Sequence, residues 1–307
     1  MRRERSPDRR ATGRALIHRR RLLAAALVLA LAGCRNGDAA SDRAEVAPTD
    51  AVVVTDASGR SIRFDRTPAR VLSLVPSVTV ALVQLGAGGA LVGRTDYDTI
   101  AAVTALPSVG GGLQPDLERL LILEPDLVIR FGGEQDPVTP AALDERAIPH
   151  LAVRPDRVAD VRAIVLQLGQ VMGRGAAADS IVAALDAELA DVRARVAGRP
   201  RVNVAYLLGG SPPWVAGPGT YVTDLLDVAG ADNAFADLDA LYAPVSLEDL
   251  IAREVDAFVV ARGAQVDARL RARAPVIEVS PDIEQPGTGL GRSAAELARA
   301  LHPAAFP

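Results

Sequence analysis

Aromatic side chains make up only 3% of this 307-residue chain, so the few that fall in expected loops at strand ends are the first candidates for chemistry. Tyr97, Phe131, Trp214 and Tyr242 each offer a flat apolar face, and tyrosine and tryptophan add a polar edge. That combination suits a wide planar ligand. Each ring alone reads equally well as packing; their joint placement in both halves favours a site. Asp282 and Arg292, in or beside a connector over residues 280–291, offer charged contacts to ligand edges, with surface solvation as the plain alternative. Reactive chemistry is poorly supplied. Gly210-Ser211-Pro212 is no nucleophile elbow, because proline stands where a backbone N–H would serve an oxyanion. Gly86, Gly88 and Gly89 follow a helix rather than a strand and lack the third glycine of a dinucleotide loop. Past the N-terminal leader the histidines are His150 and His302, far apart in sequence, which argues against a multi-histidine zinc site. The expectation is a binding protein, not an enzyme, with no resident metal or cofactor.

The elements that would position these residues alternate between strand and helix. Residues 51–55 and 60–64 flank Asp56-Ala57-Ser58-Gly59, a hairpin signal. Residues 71–75 form a short buried-strand pattern, Pro76-Ser77 opens a helix ending near Gly86, and a short helix over 115–123 leads into a strand at 127–131. Helical spacing then recurs over 157–172 and 176–197, with Ile181, Leu185, Leu189, Val192 and Val196 as the second apolar stripe; Gly198 and Pro200 end it. The pattern restarts with a strand at 202–208, helices at 220–229 and 246–253, and a strand at 256–261. Residues 117–129 match residues 247–259 at a constant offset of 130 positions, including Glu118 against Glu248 and Asp126 against Asp256. An α/β protein of two related lobes with central sheets, joined by one long helix, follows from this repeat. The expected segments are a lobe over 51–175, the connecting helix over 176–198, and a second lobe over 199–307.

The N-terminus carries a different message. Arg19, Arg20 and Arg21 precede an uncharged apolar run over residues 22–32, the length of a signal-peptide core and too short to span a bilayer. The run closes on Leu31-Ala32-Gly33-Cys34, which resembles the lipobox of bacterial lipoproteins. Residues 1–33 then read as a lipoprotein signal peptide, Cys34 as the lipidated first residue of the mature chain, and residues 34–50 as a flexible tether. Losing the leader takes nine arginines and two acids from the 34 basic and 38 acidic residues, leaving a net charge near −11. An acidic body disfavours nucleic acid, whose phosphates need a basic footprint.

Several segments in order carry a family resemblance over nearly all of the mature chain. Residues 70–77, followed by Leu85-Gly86-Ala87, Val92-Gly93 and Asp96-Tyr97, look like the first lobe of the cobalamin- and siderophore-binding proteins of ABC importers. Gly110-Gly111 with Asp116-Leu117-Glu118, and residues 123–129, resemble that family's most recognisable stretch; Gly217-Pro218-Gly219-Thr220 and residues 244–248 resemble its second-lobe counterpart. The resemblance implies two Rossmann-like lobes on a long rigid helix, the class III periplasmic-binding-protein fold, and a monomer that hands a bulky metal chelate to a permease and ATPase. It implies ligand contacts at Pro76, Ser77, Tyr97, Gly110, Phe131, Trp214, Tyr242, Asp282 and Arg292. It also implies that Glu118 and Glu248 dock on the two membrane subunits, beside the alternative that first-turn carboxylates merely complement the helix dipole. The rings tilt the expected cargo toward a corrinoid such as cobalamin, while heme and iron siderophores share the scaffold and Tyr97 could ligate a heme iron. Val109, where a tryptophan can stand in relatives, weakens the corrinoid tilt. A lipoprotein ligand sensor without a transport role is the rival from another class.

Overall fold

The structure is a computed structural model that describes residues 51–306; the leader, Cys34 and the tether lie outside the described residues. Strands β1 (Val52–Thr55) and β2 (Ser61–Phe64) form the expected antiparallel hairpin. The first lobe then follows as β3 (Val71–Ser73), α1 (Pro76–Gln84), β4 (Leu91–Gly93), α2 (Leu117–Ile122), β5 (Leu127–Phe131), α3 (Val138–Asp144) and β6 (His150–Val153). Its four strands make a parallel sheet in the order β4-β3-β5-β6. Such a sheet is buried on both faces, and β5 shows how. Leu127 and Ile129 enter one core with Val71, Leu151 and Val153, while Val128 enters the opposite core with Leu72, Leu120 and Leu143.

Two helices, α4 (Val158–Val171) and α5 (Gly175–Val196), carry the chain to the second lobe. That lobe runs β7 (Val202–Leu207), β8 (Trp214–Ala216), α6 (Tyr221–Val228), β9 (Ala231–Asn233), β10 (Tyr242–Pro244), α7 (Leu247–Ala252), β11 (Ala257–Ala261), α8 (Ala268–Arg273), β12 (Val276–Val279) and α9 (Leu290–Leu301). Parallel strands β9, β7, β11 and β12 repeat the first lobe's sheet, and the antiparallel ribbon β8-β10 is added at the edge.

The repeat extends to individual hydrogen bonds. The Asp126 carboxylate accepts from the Arg70 N–H at 2.8 Å, and the Asp256 carboxylate from the Asn203 N–H at 2.7 Å. Arg70 Nε donates to the Glu124 carbonyl at 2.9 Å, and Asn203 Nδ2 to the Glu254 carbonyl at 2.6 Å. Both 130-residue pairs, 124 with 254 and 126 with 256, therefore tie the loop before the central strand to the strand beside it.

Helix α5 belongs to both cores. Ala178 is buried in the first lobe's core, with Ile181 packed against it, and Leu185, Leu189, Val192 and Val196 are buried in the second lobe's. At 1.5 Å per residue its 22 residues span about 33 Å. The first half is pressed on α4, where a Cβ at Gly169 would lie 2.4 Å from that of Ala178. Bending such a helix would break packing in both lobes, so it acts as a stiff strut.

Several regions differ from the sequence expectation, strands β4, β9 and β12 and helix α8 among them, since no expected element covers them. Trp214 and Tyr242 sit in three-residue strands, not loops, paired through Pro244 with Trp214 and Tyr242 with Ala216; strands this short, flanked by proline and glycine, leave no alternation to read. Helix α3 and strand β6 occupy a stretch assigned no element. The connector over 280–291 is a 3-10 turn at Pro281–Glu284 followed by the start of α9, so Arg292 is helical. Alanines at 294 and 298 supply much of α9's buried stripe, which made it faint in sequence.

Candidate ligand-binding cleft

Ligands of parallel α/β sheets bind beyond the carboxyl ends of the strands, and both sheets here end on the same gap. From the first lobe come Leu74, Pro76 and Ser77 after β3, Phe131 to Gly133 at β5, and Arg154 to Asp156 after β6. Leu208 after β7 and Pro281 to Pro286 after β12 come from the second. The gap has a compartment of about 800 Å3 that includes Tyr97 and the glycine loop 111–114, and another of about 780 Å3 that includes Trp214, Tyr221 and Tyr242. Phe131, Glu284 and Pro286 line both, making them one cleft. A side pocket of about 420 Å3 opens from it at Ser77 and Gln285 and contains Asp282 and Arg292.

The rings are presented by loops whose backbones are tied down. Tyr97 is 66% exposed although its neighbours are not free. The Asp98 carboxylate accepts from the Thr95 N–H at 2.7 Å and its hydroxyl at 2.8 Å, and Thr95 is fully buried. The Asp96 N–H donates to the Gly110 carbonyl at 2.9 Å, and the Gly110 N–H to the Ser108 hydroxyl at 3.0 Å. Gly110, at a φ of +85°, thus holds the loop while its neighbours Gly111 and Gly112 form the wall. A Cβ at Gly112 would lie 2.3 Å from the Leu74 carbonyl oxygen, so this loop rides directly on the end of β3. In the second lobe, Trp214 is 44% exposed, and its N–H donates to the Gly209 carbonyl at 2.8 Å. Large side chains left in water on rigid backbone are poised for a ligand rather than for the fold.

Behind the cleft the lobes are clamped. Arg157, at the start of α4, pairs with the Asp224 carboxylate of α6, which also accepts from the Val158 N–H at 2.9 Å. The Tyr221 N–H donates to the Asp156 carbonyl across the same junction. The Asp224 hydrogen bond raises the Arg157 guanidinium pKa, keeping that cation firmly charged.

Charge in the cleft is predominantly acidic. Arg154 pairs with Asp156 at 2.7 Å, leaving Glu134 and Glu284 as carboxylates on the wall without an ion-pair partner among the described residues. Burial pushes the Glu284 carboxyl upward, against the long 3.4 Å hydrogen bond it accepts from the Tyr206 hydroxyl. Burial also raises the Tyr242 hydroxyl to about 12 and that of Tyr221 further, so both remain neutral donors. Among the described residues no group of three or more His, Cys, Asp or Glu side chains is placed to hold a metal ion.

Of the residues singled out in sequence, Pro76, Ser77, Tyr97, Phe131, Trp214 and Tyr242 line the two main compartments; Asp282 and Arg292 share the side pocket; Gly110 stands one residue behind the wall. Sequence reasoning passed over Arg154, Asp156, Tyr221, Glu284 and Gln285. Their only signal was position just after a strand or opening a helix. Glu118 and Glu248 occupy the first turns of α2 and α7, whose caps Asp116 and Ser246 each accept from the N–H three residues on. Helix α2 begins just past the glycine loop, where the Asp116 N–H donates to the Val109 carbonyl at 2.7 Å, and α7 begins five residues past Tyr242. Both glutamates are exposed, with Arg269 4.0 Å from Glu248.

Duplicated Rossmann-like lobes on a stiff helix, facing each other across an aromatic cleft, define a class III solute-binding protein. The chain belongs to the periplasmic binding protein family, whose model matches residues 71–277. It is 26% identical to the uncharacterized ABC transporter substrate-binding lipoprotein YvrC of Bacillus subtilis, over 92% of this chain and 97% of that one. It is 31% identical to a cobalamin-binding protein of Halobacterium salinarum, over 74% of this chain and 62% of the relative. Among solved structures, a periplasmic heme-binding protein from Pseudomonas aeruginosa superposes with a TM-score of 0.67 at 26% identity, covering 78% of this chain and 95% of that one.

Proposed function

We propose that this protein captures a corrinoid such as cobalamin in the cleft and delivers it to an ABC importer. The observation that carries the reading is the pair of exposed rings on opposite lobes, Tyr97 at 66% and Trp214 at 44% exposure, facing compartments of about 800 and 780 Å3. A drug-sized ligand fills a pocket of about 300–1,000 Å3; two joined compartments of this size call for a larger, flat cargo. The cobalamin-binding relative supports the corrinoid, and the acidic wall weighs against heme, whose propionates are anionic.

In this reading Cys34 carries the lipid that holds the protein at the membrane, residues 34–50 give it reach, and the chain works as a monomer. Glu118 and Glu248 engage basic side chains on two permease subunits. Their equivalent, exposed places in a duplicated fold suit a two-fold partner.

Trp214 is the only tryptophan, so its fluorescence tests the cargo. Purified protein titrated with cobalamin, heme and ferric siderophores is expected to bind cobalamin with a Kd below about 10 μM, equivalent to about −7 kcal/mol. Tighter binding of heme or a siderophore reassigns the cargo; binding of none of the three defeats the receptor reading.

A further inference from the structure

Glu284 stands where the two compartments of the cleft meet, and among the described residues it is the only charged one on the wall of the compartment that contains Tyr97. Around it are the Phe131 ring from the first lobe and Tyr221 and Tyr242 from the second. Its carboxylate accepts one long hydrogen bond, 3.4 Å, from Tyr206, and among the described residues no basic side chain reaches it at ion-pair distance. Arg154, the basic residue on the same wall, is held at 2.7 Å by Asp156. The 3-10 turn that carries Glu284 is fixed at its start, since the Ser280 hydroxyl accepts from the Asp282 N–H and the Ser280 N–H donates to Glu296 at 3.0 Å. Glu284 is exposed in the open cleft, so a flat ligand that covers it strips water from its carboxylate, which costs free energy unless the ligand brings donors of its own. It costs more still if the ligand brings a second carboxylate.

We infer that Glu284 is the specificity-determining residue of the cleft: it accepts hydrogen bonds from primary amide groups on the rim of a flat chelate and rejects chelates whose rim carries carboxylates. The inference rests on the reading of the cleft as a chelate site. It adds which chemical class of chelate passes, and it assigns selection to repulsion as much as to contact. Partial desolvation by the cleft wall pushes its carboxyl upward, and a carboxyl so shifted loses its discriminating charge earlier on acidification than an unperturbed one.

The test uses two ligands with the same ring and metal and different rims: dicyanocobyrinic acid heptaamide and dicyanocobyrinic acid. Calorimetry on the full chain in detergent is expected to show the wild type preferring the heptaamide by at least about tenfold. Glu284→Gln, nearly isosteric, is expected to shrink that preference about tenfold with an unchanged melting temperature. Between pH 7.5 and 5.5 the wild-type preference falls more steeply than that of the Gln variant, a difference a merely structural role would not produce. Should the Gln variant fold poorly, Glu284→Lys reads the same property, and it is expected to favour the carboxylate ring. If the wild type binds both rings equally, or either folded variant keeps the wild-type preference, the inference is overturned while the chelate reading stands. If neither ring binds the wild type, the chelate reading itself falls.

Discussion

Replacing Tyr97 by alanine separates binding from folding more cleanly than any other change in the cleft. The ring is 66% exposed, and the loop beneath it is held by Thr95, Asp98 and Gly110 without help from the ring. A buried tyrosine removes roughly 200 Å2 from water, so a ligand that covers the exposed part of this one hides roughly 130 Å2 of mostly apolar surface. At about 25 cal/mol per Å2 that is at most about 3 kcal/mol, and a ligand covering half of it leaves about 1.6 kcal/mol. Tyr97→Ala is therefore expected to weaken chelate binding by about 10- to 100-fold and to leave the melting temperature within about 2 °C. Trp214 fluorescence reads the affinity and differential scanning calorimetry the stability. Unchanged affinity for every chelate that binds the wild type, or a large loss of stability, would refute the view that the ring is presented for a ligand.

Other consequences are as direct. Reversing both docking charges, Glu118→Arg with Glu248→Arg, is expected to abolish uptake while chelate affinity holds and stability moves by no more than about 0.5 kcal/mol, since both side chains are exposed; transport at the wild-type rate removes the docking role. Gly112→Ala forces a Cβ to within 2.3 Å of the Leu74 carbonyl oxygen and is expected to displace the glycine loop, costing about 1–3 kcal/mol in stability and weakening binding. A buried histidine supplies an acid dependence. His150 is 2% exposed; its Nδ1 accepts from Arg130 Nε at 3.0 Å and from Arg60, and its Nε2 lies 3.0 Å from an Asp144 carboxylate oxygen. Burial, with the two guanidiniums, lowers its pKa against the pull of Asp144. The unfolded chain therefore binds the proton first, so stability is full above about pH 6.5 and falls as the pH drops below that. Asp56 and Asp144, held below the ordinary carboxylate range, add a further loss only at lower pH, as the solution falls through that range toward their lowered pKa values. Thermal melts from pH 7.5 to 5 are expected to slope downward for the wild type and less for His150→Gln; parallel slopes would exclude His150 as the source.

Much of this architecture was legible because parallel strands are buried on both faces. Leu127 to Ile129 and Ala257–Ala261 read as continuous apolar runs, the first broken only by Arg130 before Phe131, and the 130-residue offset survives in every strand and helix bound of the repeat. The strut α5 was equally plain, its stripe from Ile181 to Val196 sustained over about four turns. What escaped is instructive. Strand β6 contains His150 because its polar ring is satisfied by Arg60, Arg130 and Asp144, a network spread over four elements and invisible in any local window. In the cleft, scarcity exposed the aromatic residues: with so few rings in the chain, four near strand ends were conspicuous. Glu284 had no such mark. Its importance comes from lacking a cationic partner, which sequence cannot express, because partners are set by how two lobes face each other.

The central claim is that the duplicated lobes hold a flat chelate between Tyr97 of the first lobe and Trp214 of the second. A crystal structure with a bound corrinoid, phased at the cobalt absorption edge, tests it directly. One strong anomalous peak is expected inside the cleft, between those two rings and above Phe131. Cobalt located outside the gap, or a cleft closed with its rings packed against each other while the corrinoid binds elsewhere, would contradict it.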